Sequence, residues 1–188
     1  MSGRVIAIVG PSGVGKDSVM EGLLGALPRA VFVRRVITRT PEAGGEDFDA
    51  VSEAEFAAMV DNGAFALHWQ AHGLYYGVPR RIKDDAQSNY CLVNLSRTVL
   101  REAARLFPSL IVLNVTAKPE TLARRLAGRG RETAAEIERR LSHAEKPLPP
   151  GLDIRNVSND DTLAETIAAA ARLLAPDVAS PPKSEAIQ

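Results

Sequence analysis

The segment GPSGVGKDS (residues 10–18) follows the apolar run RVIAIVG and leads into a helical pattern from about Lys16 to Ala26. A strand that ends in a glycine-rich turn and passes straight into a helix limits the fold more than any other feature of this chain. Gly10, Gly13 and Gly15 let the backbone curl until several N–H groups converge on one concavity, where the helix N-terminus adds its positive end. Lys16 can then reach the β- and γ-phosphates of a nucleotide, so Gly10, Pro11, Ser12, Gly13, Val14, Gly15, Lys16, Asp17 and Ser18 are the candidate ATP contacts. A glycine turn beside a surface lysine, the plainer alternative, explains neither the strand before it nor the helix after it. The usual loop places Ser or Thr after the lysine as a neutral Mg2+ ligand, whereas here that position is Asp17 and the hydroxyl comes one residue later, at Ser18. One residue turns a helix by about 100°, so Ser18 points elsewhere. Asp17 is the expected metal ligand, directly or through water; the alternative is a carboxylate that only complements the helix dipole.

Downstream, strand-like and helix-like segments alternate. AVFVRRVITR reads as one strand, followed by a turn-rich stretch from Thr40 to Asp49. Ser52 and Glu55 form a capping box for a helix ending near Gly63, and FALHWQA and LYYGV flank His72-Gly73 as a hairpin. YCLVNL, SLIVLNVT and LDIRNV read as strands, with a helix from about Arg97 to Leu106 and a broken helical stretch from Pro119 to Lys146. Thr133 with Glu136, and Thr162 with Glu165, cap further helices, and from Pro176 the proline-rich tail reads as disordered. The alternation implies an α/β fold: a P-loop NTPase with a parallel sheet flanked by helices. In 188 residues with 45% apolar content this is one domain over 1–175, with a core of 1–34, 79–118 and 147–175, an acceptor-binding insert at about 35–78, a helical lid at about 119–146, and a tail from 176 to 188. The 23 basic residues balance 23 acidic ones without long runs of either sign, which argues against a general nucleic-acid binder. No apolar run is long enough to span a bilayer, and the early first strand leaves no room for a signal peptide, so a cytoplasmic protein without membrane partners is expected. The single cysteine, Cys91, lies in the strand-like NYCLVNL and reads as packing.

The middle of the chain resembles the guanylate kinase family. The likeness rests on Thr38 to Arg39, the Gly45-Glu46 turn, Val51 to Phe56, the hairpin from Gly73 to Gly77, the lid-like RLAGRGRETAAEIERRL and SNDDTL, and it covers roughly residues 4 to 175. Departures are as informative. Glu42 stands where the family has a second phosphate-binding arginine, and Phe48 where it has a phosphate-binding tyrosine. Leu67 falls at the glutamate that reads guanine, and Asn94-Leu95-Ser96 replaces an Asp-x-Asp strand end. Leu67 cannot accept a hydrogen bond, so a pocket built on it should reject GMP strongly. Arg39 and Tyr76 keep family positions at the acceptor phosphate, and Arg35 and Arg97 are basic where the family is not. With Asn94 and Ser96 these are the candidate acceptor contacts.

Within the family, GPSGVGKDS, VITR, HGLYYGV, LVNLSR and GRGRE are very similar to the ribose 1,5-bisphosphate phosphokinase subfamily, which is associated with phosphonate breakdown and shares the Asp after the loop lysine. The resemblance implies that ATP and ribose 1,5-bisphosphate give ADP and 5-phosphoribosyl 1-diphosphate. It also implies that Lys16, Arg129 and Arg140 serve catalysis, the two arginines reaching over the phosphates from the lid, with Arg125 and Arg131 as weaker candidates, and that Asn159 and Asp160 shape the loop beside adenine; a turn before the last helix is the structural alternative, and the two are compatible. A phosphate-monoester acceptor has its second pKa near ~6 and is largely dianionic at neutral pH, so no general base is expected. His68, His72 and His143 read as structural or surface residues. The rival readings are a kinase for another small acceptor, such as a nucleoside monophosphate or gluconate, and a non-catalytic binding module of the same family. The intact loop and lid arginines speak against the last.

Overall fold

In the computed structural model, which describes residues 4–40, 47–128 and 147–179, the chain runs β1 (Arg4–Val9), α1 (Lys16–Ala26), β2 (Ala30–Phe32), β3 (Arg35–Ile37), β4 (Phe48–Ala50), α2 (Glu53–Asp61), β5 (Phe65–Ala71) and β6 (Leu74–Pro79). It continues with α3 (Ile82–Asp85), β7 (Tyr90–Asn94), a 3-10 turn at Arg97–Val99, α4 (Leu100–Leu106), β8 (Ile111–Thr116), α5 (Pro119–Ala127), β9 (Asp153–Ser158) and α6 (Leu163–Ala179). Five strands form a wholly parallel sheet in the order β2-β7-β1-β8-β9. Such a sheet is covered on both faces, so its central strands read as unbroken apolar runs. Val5 to Val9, Cys91 to Val93 and Ile111 to Leu113 are all buried. One face packs against α1 and α6 through Val19, Met20, Leu23, Ala170 and Leu174. The other packs against α4 and a second sheet through Leu100, Ala103, Leu67, Trp69 and Val78.

That second sheet has the order β4-β3-β6-β5. β5 and β6 join through His72 (φ 53) and Gly73 (φ 76), a two-residue turn whose left-handed backbone suits the twist of an antiparallel pair. Phe56 of α2 covers one face, stacked on Phe65 at 4.8 Å and lying 5.6 Å from Tyr75. The capping box that starts α2 is present: Ser52 N–H donates to Glu55 Oε2 at 2.7 Å, and Glu55 N–H donates to Ser52 Oγ at 3.2 Å. Arg34 fastens β4 beside β3 by pairing with Asp47 at 3.1 Å and Asp49 at 3.0 Å.

Four local readings change. AVFVRRVITR is two strands in different sheets, because the chain leaves the parallel sheet after Phe32 and enters the second at Arg35. Phe48–Ala50, inside the supposed turn region, pairs in parallel with β3, an arrangement that propensity over three residues cannot reveal. The expected helix from Arg97 begins as a 3-10 turn capped by Ser96, whose hydroxyl accepts from Thr98 N–H at 3.4 Å. The last helix runs past Pro176 to Ala179 although an interior proline costs about 3 kcal/mol; the turns before it are anchored by buried Ala170 and Leu174. The Thr133–Glu136 cap, most of the lid and the chain beyond Ala179 lie outside the described residues. Among those described, no helix is long and apolar enough to cross a membrane.

Cys91 is fully buried in β7, and burial, aided by the negative charge of Asp85, pushes its thiol up to about 12. A buried, protonated thiol is a poor nucleophile. A thiol reagent at pH 8 is therefore expected to leave native protein unlabelled and to titrate one thiol after denaturation; prompt native labelling would contradict this packing.

Candidate active site

The loop from Gly10 to Gly15 leaves the C-terminal end of the central strand, with parallel neighbours β7 and β8 on either side. Open α/β sheets bind ligands at this edge, where successive connections depart to opposite sides. The loop is pressed against β8: a Cβ at Gly10 would lie 2.4 Å from the Val115 carbonyl oxygen. Gly15 caps α1 with φ +90 and no side-chain cap, and a Cβ there would lie 2.7 Å from Asn159 Nδ2. The helix therefore begins with backbone donors and no carboxylate or hydroxyl at its cap, the arrangement that suits an anion. Lys16 Nζ donates to the carbonyls of Gly10 at 3.0 Å and Pro11 at 3.1 Å, spanning the loop. Asp17 and Ser18 are exposed on the first turn of α1. Among the described residues no three His, Cys, Asp or Glu side chains cluster as metal ligands. One carboxylate at a phosphate loop fits Mg2+, which is commonly held by one or two carboxylates together with substrate phosphates.

Beneath the loop lies the turn between β9 and α6. Asn159 is 4% exposed and donates from Nδ2 to the Val14 carbonyl at 2.7 Å, and Arg125 Nη1 lies 3.4 Å from the same oxygen. Asn159 Oδ1 accepts from Thr166 Oγ1 at 2.9 Å. Asp160 accepts from the Lys118 N–H at 2.8 Å and from the Ser158 hydroxyl at 2.7 Å, which ties this turn to the start of α5. Those bonds hold its carboxyl below the ordinary range, the Lys118 N–H contributing most. Asn159 and Asp160, expected to shape the loop beside adenine, lie in the turn before α6, where their side chains engage the phosphate loop and the start of α5.

On the other side of the loop, Asn94 ends β7 opposite Ile8 and is buried, while Ser96 and Arg97 follow. Ser96 is occupied in capping, with its hydroxyl 2.8 Å from that of Thr98. Burial pulls the half-buried Arg97 guanidinium below its ordinary pKa. In the second sheet, Arg35 is 8% exposed and lies over the rings of Tyr76 at 5.0 Å and Trp69 at 5.6 Å, and those rings stack on each other at 5.3 Å. A cation held over aromatic faces gains about 0.5–2 kcal/mol and is oriented by them. Leu67, two residues before Trp69 on the same strand face, is 2% exposed within the core. Arg39 lies over the Phe48 ring at 5.8 Å. His68 and His72 are exposed, His68 near the Phe56 and Phe65 rings. Arg129, Arg131, Arg140, His143, Glu42 and the Gly45-Glu46 turn fall outside the described residues.

The structure thus groups Gly10 to Ser18 with Asn159 and, separately, Arg35 with Tyr76. Sequence reasoning overlooked Trp69 and Thr166. The alternation of Leu67 and Trp69 in FALHWQA marked the first, and a lone hydroxyl in the helical stripe Thr166, Ala170, Leu174 marked the second.

Comparison with known proteins agrees with this geometry. The sequence pattern of the family described as guanylate kinase matches residues 2–175. The chain is 56% identical over 174 residues to the ribose 1,5-bisphosphate phosphokinase PhnN of Ruegeria sp. (strain TM1040), covering 92% of each chain. It is 45% identical to the protein of the same name from Azotobacter vinelandii, covering 93% of this chain and 97% of the relative. The solved guanylate kinase of Anaplasma phagocytophilum shares the fold, with a TM-score of 0.70 at 22% identity, covering 95% of this chain and 88% of that one.

Because the Asp160 carboxyl is held low, the stability it contributes is present above the ordinary Asp pKa of about 3.9 and is lost as pH falls through its folded value. Asp160→Asn is expected to lower the Tm at pH 7, with the gap to the parent closing below about pH 4. A gap that stays constant on acidification would remove the carboxylate from this junction.

Proposed function

The chain belongs to the guanylate kinase family, in its ribose 1,5-bisphosphate phosphokinase branch, and from that premise we propose that it transfers the γ-phosphoryl group of ATP to the 1-phosphate of ribose 1,5-bisphosphate, giving ADP and 5-phosphoribosyl 1-diphosphate. The observation that carries the acceptor assignment is the second sheet's inward face. It presents buried Leu67 and, beside it, a buried arginine held over two aromatic rings. That face offers nothing at Leu67 to accept the N–H groups of guanine, and it offers a cation to a phosphate.

Phosphoryl transfer breaks the bond between the γ-phosphorus and its bridging oxygen and forms one to an oxygen of the sugar 1-phosphate. The acceptor monoester, with a second pKa near ~6, is already ionised, so no residue need take a proton. The barrier lies in bringing two polyanions together: two unit charges at about 4 Å repel by about 4 kcal/mol at an effective dielectric constant of 20. Neutralisation and alignment are therefore the work of the protein. Lys16 exchanges the Gly10 and Pro11 carbonyls for phosphate oxygens, and the loop N–H groups hold the chain of phosphates in line. Arg35, Arg39 and Tyr76 bind the acceptor, with Asn94 and Arg97 at the end of β7, and Arg129 and Arg140 close over the phosphates. Mg2+, held by Asp17 and the nucleotide, would neutralise charge on the transferring group. A reaction that consumes ATP suits the cytoplasm.

Purified protein with ATP and Mg2+ is expected to release ADP with ribose 1,5-bisphosphate at a kcat/KM at least about a hundredfold above GMP or gluconate. Faster turnover of GMP would overturn the reading of Leu67. Asp17→Ser is expected to keep the fold and shift the Mg2+ titration of activity, whereas a superimposable titration would take the metal away from Asp17.

A further inference from the structure

We propose that Thr166 is a positioning residue for the nucleotide phosphates, acting through Asn159 on the peptide between Val14 and Gly15. The proposal rests on residues 10–18 being the ATP loop and is independent of the acceptor. A trans peptide is planar, so its carbonyl and the following N–H point in opposite directions. Asn159 draws the Val14 carbonyl inward with a 2.7 Å bond, and this aims the Gly15 N–H outward, toward the concavity that receives phosphate. The amide works in one orientation only: turned over, it would set its oxygen against the Val14 oxygen, two acceptors without a proton. What holds it is the Thr166 hydroxyl, 2.9 Å from Asn159 Oδ1. That hydroxyl has one proton to give and two other acceptors, the carbonyls of Ser158 and Thr162, each at 3.2 Å. The amide is the nearest. Both side chains are almost wholly buried, Thr166 at 2% and Asn159 at 4% exposed, so solvent does not substitute for either partner. Gly15 closes the fit, because any side chain there would strike the same Asn159 nitrogen.

The test is nucleotide affinity, measured by calorimetry with ADP and Mg2+ on the full chain, beside the urea unfolding midpoint. Thr166→Val keeps the shape and removes the donor. It is expected to weaken ADP binding about tenfold, the scale of one lost buried hydrogen bond, and Thr166→Ser is expected to restore affinity to within about twofold of the parent. Lower global stability alone leaves the affinity of the folded population unchanged, so a merely structural threonine would move the midpoint and not the affinity. Should Thr166→Val fail to fold, Asn159→Asp decides: it cannot donate to Val14 and is expected to lose at least as much affinity. Parent-like ADP binding by the folded valine variant, by Asn159→Asp, or failure of serine to rescue would each overturn the proposal. Binding is read without turnover, so a wrong acceptor would appear as an inactive enzyme whose affinity series still holds.

Discussion

A parallel sheet can close its connections only by crossing over one of its faces, and that requirement organises this molecule. β1 lies between β7 and β8 and is buried on both faces from Val5 to Val9. All five strands of the sheet end on the same edge, so the turns after β1, β7, β8 and β9 collect there whatever their separation in the chain. The Asn159 bond to Val14 spans 145 residues, and the Asp160 bond to Lys118 spans 42. A glycine-rich loop alone would sample many conformations. Set at this edge, pressed on β8 through Gly10 and tied from below, it presents one.

The second sheet divides its labour by face. Alternation along β5 and β6, shifted by an irregularity between Phe65 and Leu67, sends Phe65, His68 and Tyr75 toward Phe56 of α2, and Leu67, Trp69 and Tyr76 toward the parallel sheet. The first group packs a helix onto the sheet. The second joins the main core and carries Arg35 with it. A guanidinium at 8% exposure would ordinarily be costly, and the stacked rings of Trp69 and Tyr76 supply part of what water would have given. The face therefore combines a buried cation and aromatic surface with an apolar side chain at Leu67.

The chemistry proposed for the site matches these residue types. Proton transfer would call for a histidine or carboxylate poised in the cleft. Both described histidines are exposed on the second sheet, and Asp160 is engaged in hydrogen bonds that hold its pKa low. Beside Asp17, the described loop region carries lysine, arginine and backbone N–H groups, an inventory suited to moving a phosphoryl group between oxygens that are already charged.

Much of this was legible in the sequence. The fold class followed from strand-helix alternation, α1 from the glycine turn and apolar spacing, and the hairpin from His72-Gly73, because each signal is local and its backbone requirement falls on neighbouring residues. The capping boxes at Ser52 and Thr162 were legible for the same reason. Local reading failed where partners are distant. AVFVRRVITR has strand propensity throughout, and only the competition between two sheets divides it; Phe48–Ala50 becomes a strand because β3 and Arg34 are there to receive it. Asn159 reads as a loop residue and Thr166 as a helix position until the chain brings Val14 to meet them. The sequence by itself determined that a phosphate loop would open a parallel α/β domain, since glycines, lysine and flanking periodicities act over a few residues. Which buried side chains steady that loop, and which arginine rests on which ring, was decided by tertiary packing alone, because hydrogen bonds and ring contacts depend on distance in space and are indifferent to distance along the chain.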